Sequence, residues 1–167
     1  MALWLNRAGR HGEYEQRFLD QDRIYCTWDG LSRDLSKVKD KAEMYDVMVE
    51  FYPDAKPRGV SNWVGQVWPF VREMAIGDWV VLPSKMKAAI HVGEIRGPYA
   101  FDPKAEDPYY HSHEVRWIAT NIPRSNFAQD LLYSFGAFMT ICRIERNEAE
   151  KRVRAMGAAG WKATRIA

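Results

Sequence analysis

Two histidines separated by one residue, His111 and His113, have a spacing that could support metal chemistry. Alternate side chains of a β-strand point to the same face, so a strand here would place both imidazoles together. A zinc site uses three or four protein ligands, and no third ligand follows from the spacing. We therefore expect no metal site, and we expect the two imidazoles to face solvent or a nucleic acid.

Covalent catalysis has less support in the sequence. The serines lack a GxSxG motif, and Cys26 and Cys142 stand alone without a CxxC pair or zinc-like spacing. We expect no catalytic residue and no cofactor. We also expect both cysteines to be reduced, inert thiols of a cytoplasmic protein.

Aromatic side chains are the unusual part of the composition. Seven Trp, eight Tyr and seven Phe make up 13% of the 167 residues. Large aromatic side chains supply core area, but they also stack on flat polar ligands such as nucleobases. The chemistry that this surplus favours is therefore non-covalent binding of a planar ligand.

Length and composition exclude several classes of protein. A chain of 167 residues with 47% hydrophobic and 28% charged residues is long enough for one core and too apolar for a disordered chain. No apolar run approaches the roughly 18–20 residues of a membrane-spanning helix, and the N-terminus lacks a signal-peptide pattern. The net charge of +2 is too near neutral to indicate a nucleic-acid binder by bulk electrostatics.

Helical periodicity predicts the elements that must position these side chains. A helix with apolar residues from Val38 to Tyr52 has a capping box at residues 40–43 and ends at Pro53. A second helix, capped by Ser61 or Asn62, carries an apolar face that includes Trp63. Two further helices are predicted, a short one at residues 14–19 and one at residues 127–135.

Strand patterns occupy most of the remaining chain. Residues 79–82 and 88–95 are separated by a short polar connection, which predicts a β-hairpin. Residues 113–119 alternate as a half-buried strand does. Further strands are predicted at residues 3–5, 23–28 and 138–144.

The C-terminal residues differ in charge from the rest of the chain. Residues 143–167 hold seven basic and three acidic residues, a sum of +4 that leaves −2 for the first 142. We therefore divide the chain into a domain at residues 1–144 and a basic helix with a tail at residues 145–167. The second segment is either a solvated terminal helix and tail or a linker toward a further domain.

Four segments resemble the EVE domain, a branch of the PUA-like barrels that also includes the YTH and ASCH domains. Residues 66–81, with Gln66, Phe70, Met74 and the Gly77-Asp78 turn, resemble the helix-turn-strand of that domain. Residues 90–95 resemble its next strand. Residues 113–117 and 121–123 are similar to a strand and turn of the YTH branch.

The order of segments is also similar to the N-terminal module of Mrr-like restriction-system proteins. The similar segments are residues 2–5, 12–15, 27–30 and 134–140, so the resemblance covers roughly residues 2–144. It implies an α+β fold, a PUA-like (EVE/YTH-type) small β-barrel with flanking helices. It also implies a partner, double-stranded DNA carrying a methylated adenine or cytosine, whose modified base is held in an aromatic pocket.

In such a restriction system a separate C-terminal nuclease domain cuts the DNA. A PD-(D/E)xK nuclease needs an acidic residue followed by an acidic-x-Lys pair. The nearest approaches are Asp78 with Glu94-Ile95-Arg96 and the proline-broken Asp102-Pro103-Lys104, and neither fits. We therefore expect a specificity domain without its nuclease, which would reside in a C-terminal domain or partner.

The resemblance places the base pocket at two turns and one loop. A base-reading site needs planar walls and polar groups that read the edge of the base. The expected pocket residues are Trp28, Asp29, Ser61, Asn62, Trp63, Gln66, Tyr99, Tyr109 and Tyr110.

Three of these residues have an alternative role. Trp63 shares a helical stripe with buried-type residues, so it is either a core residue or a wall of the pocket. Trp28 lies beside a DG turn and has the same two alternatives. Asn62 either caps its helix or reads the base edge.

Basic residues in loops are candidates for binding phosphates. The expected phosphate and backbone contacts are Lys56, Arg58, Lys85, Met86, Lys87 and Arg124. Within the hairpin turn, Met86 could insert into the stack that the extruded base leaves. The alternative is that these cations only increase solubility.

Three other functions stay open at this stage. One is RNA binding, as in the YTH branch. Another is hydrolysis of nucleic acid or nucleosides, as in some ASCH relatives, for which Lys85, Tyr99 and Glu94 are the only loosely suitable trio. The third is a protein-interaction or oligomerisation domain.

Overall fold

The computed structural model describes residues 1–163 of the chain. This range contains five α-helices and seven β-strands. The helices are α1 (Glu15–Gln21), α2 (Lys41–Phe51), α3 (Pro57–Arg72), α4 (Gln129–Phe135) and α5 (Ala149–Ala158). The strands are β1 (Leu3–Asn6), β2 (Arg23–Cys26), β3 (Trp79–Pro83), β4 (Ala89–Ile95), β5 (Ala100–Phe101), β6 (His111–Pro123) and β7 (Ile141–Arg143).

The strands form one mixed sheet in the order β2-β6-β4-β3-β1-β7, with β5 also paired to β6. Only β1 and β3 are parallel; the other pairs in the described part of the chain are antiparallel. The long strand β6 pairs with β2 through His111–Glu114 and with β4 beyond Val115, so the sheet curls into a half-barrel. The α+β class is thereby confirmed, and the curled sheet is compatible with the small barrel that was expected.

Alternation along the central strands divides the core between the two faces of the sheet. Trp4 packs in one cluster with residues of α2 and α3, whereas Leu3 and Leu5 pack in a second cluster with residues of α4 and α5. Helices therefore cover both faces of the sheet. Four of the tryptophans, Trp4, Trp68, Trp79 and Trp117, serve packing, because each contacts one of the two clusters.

The helix starts follow local chemistry, with one correction. The Asp40 carboxylate accepts the Glu43 amide at 2.8 Å, which confirms the predicted cap of α2. Helix α3 starts at Pro57 rather than after Ser61 or Asn62, and proline is favoured at a first helical position. Ser61 and Asn62 lie inside α3, so the prediction that one of them caps the helix was wrong.

The C-terminal segment packs against the rest of the fold. Ala149, Val153 and Met156 of α5 are buried in the second cluster. Thr164 to Ala167, the last residues of the predicted tail, lie outside the described residues. The division of the chain at residue 144 stays a prediction.

No helix within residues 1–163 is long and apolar enough to cross a bilayer.

Candidate aromatic binding pocket

An open pocket of about 440 Å³ lies where the loop after β1, the turn after β2 and helices α2 and α3 meet. Four aromatic side chains contribute to its lining, and we call it the aromatic pocket. Its lining residues are Gly9, Arg10, Glu13, Tyr14, Thr27, Trp28, Asp29, Tyr52, Trp63 and Thr140.

The turn after β2 holds Trp28 at the pocket. Its indole is half-buried and packs against the first core cluster. The backbone of the turn is fixed from both sides: Tyr52 donates its hydroxyl to the Asp29 carbonyl at 2.6 Å, and the Gly30 amide donates to the Asp107 carboxylate at 2.8 Å. Trp28 therefore projects from an anchored turn rather than from a free loop.

Helix α3 supplies the second indole. Trp63 packs on the first core cluster and also lines the aromatic pocket, so a core position and a position at the cavity are compatible. The Tyr52 ring meets Trp63 edge-on, with ring centroids 5.3 Å apart and planes at 69°. Edge-to-face contacts of this kind stabilise aromatic pairs and fix the orientation of each ring.

The polar lining carries more negative than positive charge. The carboxylates of Glu13 and Asp29 stand against the single guanidinium of Arg10. The Oε1 atom of Glu13 accepts a hydrogen bond from the His11 amide at 3.1 Å. The same oxygen lies against Gly9, so close that a Cβ added to Gly9 would be 1.8 Å from it. Gly9 has φ +87°, a conformation that favours glycine, so the loop keeps this carboxylate close to its own backbone.

Two phenols supply hydrogen-bond donors. Burial, followed by the Asp29 carboxylate, raises the pKa of Tyr14. Burial also raises the pKa of Tyr52. Both phenols are therefore protonated near neutral pH. Because the Tyr52 hydroxyl already donates to the Asp29 carbonyl, the pocket combines the phenolic donor of Tyr14 with carboxylate acceptors and indole walls.

Comparison with known proteins identifies the family. A profile described as a domain of unknown function, DUF8426, matches residues 4–140, which include the whole lining of the aromatic pocket. The chain belongs to the DUF8426 family. No curated protein matches the sequence. A solved structure of a hypothetical protein from Leishmania major is 13% identical over 97% of this chain and 98% of that chain, with a TM-score of 0.45.

Of the residues expected at a base pocket, the DUF8426 fold brings together Trp28, Asp29 and Trp63. These three come from two segments that lie more than thirty positions apart in the sequence. The other six expected residues lie outside the lining.

The three loop tyrosines have different surroundings. Tyr109 packs edge-on against Tyr14, with centroids 5.6 Å apart, and lies beneath the Arg17 guanidinium at 4.3 Å. It therefore supports a wall of the pocket from behind. Tyr110 stacks on Phe101. Tyr99 donates its hydroxyl to Nδ1 of His111 at 2.6 Å and belongs to the interior of the protein.

Both histidines of the expected pair lie inside the fold. His111 and His113 share one face of β6, as the spacing predicts, but their exposed fractions are 0% and 1%. His111 Nε2 donates to the Leu31 carbonyl at 2.6 Å, and burial lowers the pKa of His111 to about 4. The expectation that the pair faces solvent or a nucleic acid was wrong, because both rings are held by interior backbone and tyrosine groups.

The polar residues of α3 have structural roles. Buried Gln66 accepts the amides of Thr140 at 2.8 Å and Ile141 at 3.1 Å, and it donates to the Asn62 side chain at 2.8 Å. Gln66 therefore holds Thr140 at the edge of the pocket without lining it. Ser61 lies at a separate depression beside Lys41 and Tyr45.

None of the expected phosphate contacts lines the aromatic pocket. Lys56 and Arg58 are exposed at the start of α3. Lys85, Met86 and Lys87 form the exposed turn of the β3–β4 hairpin, where Met86 has an exposed fraction of 64%.

The hairpin turn adjoins the loop that lines the pocket. Gly12, in the loop after β1, lies so close to the hairpin turn that a Cβ added to it would be only 2.7 Å from the Cβ of Lys85. The Lys85 amide also donates to Glu15 at 3.3 Å. Arg124 belongs instead to a second cavity.

Two of the three residues considered for hydrolysis have other side-chain partners. Tyr99 bonds to His111, and Glu94 pairs with Arg96 and Arg116 at 3.3 Å each. Burial raises the pKa of both thiols, Cys26 and Cys142. Within residues 1–163, no group of three or more His, Cys, Asp and Glu side chains is arranged to hold a metal ion.

Sequence reasoning missed two of the four aromatic walls, Tyr14 and Tyr52. The sequence pattern assigned Tyr52 to the apolar face of the helix. In the structure Tyr52 is the C-cap residue that follows α2, and its ring lines the pocket. The sequence signal for this difference was the position of Tyr52 directly before Pro53, because the residue before a proline is disfavoured in a helix. Tyr14 lies between two positive-φ glycines and α1, and the Gly9 and Gly12 pattern indicated a shaped loop.

Proposed function

We propose that this DUF8426 domain binds DNA and holds one modified base, a methylated adenine or cytosine, extruded from the duplex in the aromatic pocket. One observation carries the proposal: Trp28 and Trp63, expected at a base pocket from separate segments, line the same cavity together with Asp29.

The energetics of extrusion require more than one stacking wall. Taking a base out of the duplex costs a few kcal/mol, and each aromatic contact returns roughly 1–3 kcal/mol. Two indoles, supported by the rings of Tyr14 and Tyr52, are sufficient to offset that cost. Because Tyr52 already contacts Trp63 edge-on, part of the wall is ordered before the base arrives.

The polar lining suits the edge of an amino-substituted base. Cytosine and adenine present exocyclic N–H donors, and the carboxylates of Asp29 and Glu13 are acceptors. The phenol of Tyr14 can donate to a ring nitrogen or a carbonyl, whereas the Tyr52 hydroxyl is already bonded to the Asp29 carbonyl and Tyr52 contributes its ring. A cavity with net negative charge reads such an edge without attracting the phosphate itself.

The proposal extends to the fold type and the biological setting. The curled sheet with helices on both faces supports a PUA-like barrel of the EVE/YTH type. We place the domain as the specificity module of a modification-dependent restriction system in the cytoplasm, with the nuclease in a separate domain. Both cysteines are free thiols, which is typical of a reducing compartment.

A binding screen on the wild-type domain tests the proposal. The duplexes contain 5-methylcytosine, 5-hydroxymethylcytosine, N6-methyladenine, N4-methylcytosine or no modification, in one sequence and at one salt concentration. We expect at least one modified duplex to bind about tenfold or more tightly than the plain duplex. Equal affinity for all five would contradict the proposal, and a preference for the matching modified RNA would assign the domain to RNA instead.

A further inference from the structure

A second cavity of about 790 Å³ lies between α4 and β7, and we call it the α4–β7 groove. Its lining combines arginines with aromatic side chains. The lining residues are Arg124, Gln129, Leu132, Tyr133, Ser134, Gly136, Ala137, Phe138, Cys142, Arg143, Ile144, Glu145, Arg146 and Asn147.

Two aromatic side chains of this groove are presented to solvent. Phe138 is fully exposed and Tyr133 has an exposed fraction of 80%. The backbone beneath them is anchored, because Arg7 donates to the carbonyls of Phe135 at 2.7 Å and Ala137 at 3.0 Å. Exposed apolar groups on an anchored segment are typical of a binding surface rather than of a loosely held loop.

The charge of the groove is opposite to that of the aromatic pocket. Arg124, Arg143 and Arg146 face a single carboxylate, that of Glu145, which lies 3.5 Å from Arg143. Three guanidinium groups and one carboxylate give the groove a net positive charge, which favours the binding of a polyanion. Arginine can also bind phosphate oxygens through two N–H groups at once. The aromatic pocket alone, with its excess of carboxylates, cannot supply this attraction.

The groove and the aromatic pocket share a boundary. Residues 137–140 separate them, with Phe138 lining the groove and Thr140 lining the pocket. Gln66 fixes this boundary through the Thr140 amide. At most about 7 Å of backbone separates Phe138 from Thr140, so the groove lies within reach of the nucleotides next to one held in the pocket.

We propose that the α4–β7 groove binds the strand next to the extruded base, with its arginines on the phosphates and with Phe138 and Tyr133 stacking on flanking bases. The role rests on the proposed function, since the strand enters the groove from the aromatic pocket. Stacking on a flanking base is independent of sequence because every base has a π-face. The groove thus supplies affinity, and the pocket supplies discrimination.

The salt dependence of binding tests the arginines. The logarithm of the affinity falls linearly with the logarithm of the salt concentration, and each phosphate contact that is lost makes this slope less steep by about 0.9. The double variant Arg143→Ala, Arg146→Ala should lose nearly two units of slope, while the preference for modified over plain duplex stays unchanged. The matched control is Arg96→Ala, Arg116→Ala, which removes two exposed arginines that pair with Glu94 and line neither the groove nor the aromatic pocket, and it should leave the slope unchanged.

The Phe138→Ala variant tests the stacking. We expect it to weaken binding of modified and plain DNA by the same factor, roughly tenfold. Unchanged affinity in Phe138→Ala together with an unchanged slope in the arginine variant would overturn the groove proposal.

These outcomes separate the two proposals. If the wild-type domain binds all duplexes equally but the groove variants lose affinity and slope, the base-reading function fails and the groove stands. If discrimination is present and the groove variants bind like the wild type, only the groove fails. A wild-type domain that binds no nucleic acid overturns both.

Discussion

The hydroxyl of Tyr52 donates a 2.6 Å hydrogen bond to the backbone carbonyl of Asp29. This bond joins the end of α2 to the turn that carries Trp28, while the ring of the same tyrosine packs edge-on against Trp63. One side chain therefore positions both indole walls. The aromatic pocket owes its shape to this contact as much as to the indoles.

The Tyr52→Phe variant tests this positioning role. Loss of the hydroxyl removes one hydrogen bond, so we expect the free energy of unfolding to fall by about 0.5–1.5 kcal/mol. The preference for modified DNA should fall several-fold, because the Trp28 turn loses an anchor. Urea unfolding and binding titrations measure the two effects, and Tyr45→Phe on the same helix is the control. Wild-type values for both quantities in Tyr52→Phe would contradict the role.

The Gln66→Leu variant tests the link between α3 and the pocket edge. It leaves the buried amides of Thr140 and Ile141 without their acceptor, so we expect a loss of about 2–4 kcal/mol in unfolding free energy. Asn62→Ala keeps both bonds and should stay within about 0.5 kcal/mol of the wild type. Chemical denaturation compares the three proteins, and equal stability of all of them would show that Gln66 does not hold this edge.

The buried imidazole of His111 predicts a pH dependence of stability. Burial lowers its pKa to about 4 in the folded protein, against about 6.5 in the unfolded chain. Between these values the unfolded chain binds a proton that the folded protein does not, so stability falls as the pH is lowered from 7 toward 4. The loss attributable to this group reaches about 3 kcal/mol if the whole shift is realised.

The His111→Gln variant isolates this contribution, because glutamine can donate to the Leu31 carbonyl but does not titrate in this range. We expect the wild type to lose more stability than His111→Gln between pH 7 and 4.5, measured by urea unfolding at each pH. Parallel pH profiles for the two proteins would rule out His111 as the source.

The Asp29 carboxylate is predicted to accept from the exocyclic amine of the bound base. Asp29→Ala should reduce the affinity for modified DNA by roughly tenfold, a change of the order of one hydrogen bond to a charged group. The affinity for plain DNA should change little. Asp54→Ala, which removes an exposed carboxylate outside the pocket, is the control for the change in net charge. Equal losses for plain and modified DNA would refute the reading role.

Much of the fold follows from local patterns in the sequence. The hairpin at residues 79–95, the Asp40 cap and the strand before the DG turn were predictable because each depends on neighbouring residues. The expectation that Trp28 and Trp63 belong to one site came from the family resemblance and not from periodicity. Their convergence depends on how α3 packs against the β2 turn, a long-range contact that periodicity does not encode.

The histidine pair shows what alternation determines and what it leaves open. The spacing of His111 and His113 correctly places both on one face of β6, yet the choice of face was wrong. The alternation of the following residues indicates the buried face. Val115 lies on the same face as the two histidines, while Glu114 and Arg116 lie on the opposite, exposed face. The apolar Val115, two positions after His113, therefore predicts the buried face better than the polarity of the imidazoles does.

The central claim is that Trp28 and Trp63 form the walls that hold a modified base. The most direct measurement is the ratio of dissociation constants for plain and modified duplex, in the wild type and in Trp28→Ala and Trp63→Ala, with circular dichroism to confirm folding. We predict a ratio of about ten or more for the wild type and about one for each folded variant. A folded variant of either indole that keeps the full wild-type ratio would contradict the claim.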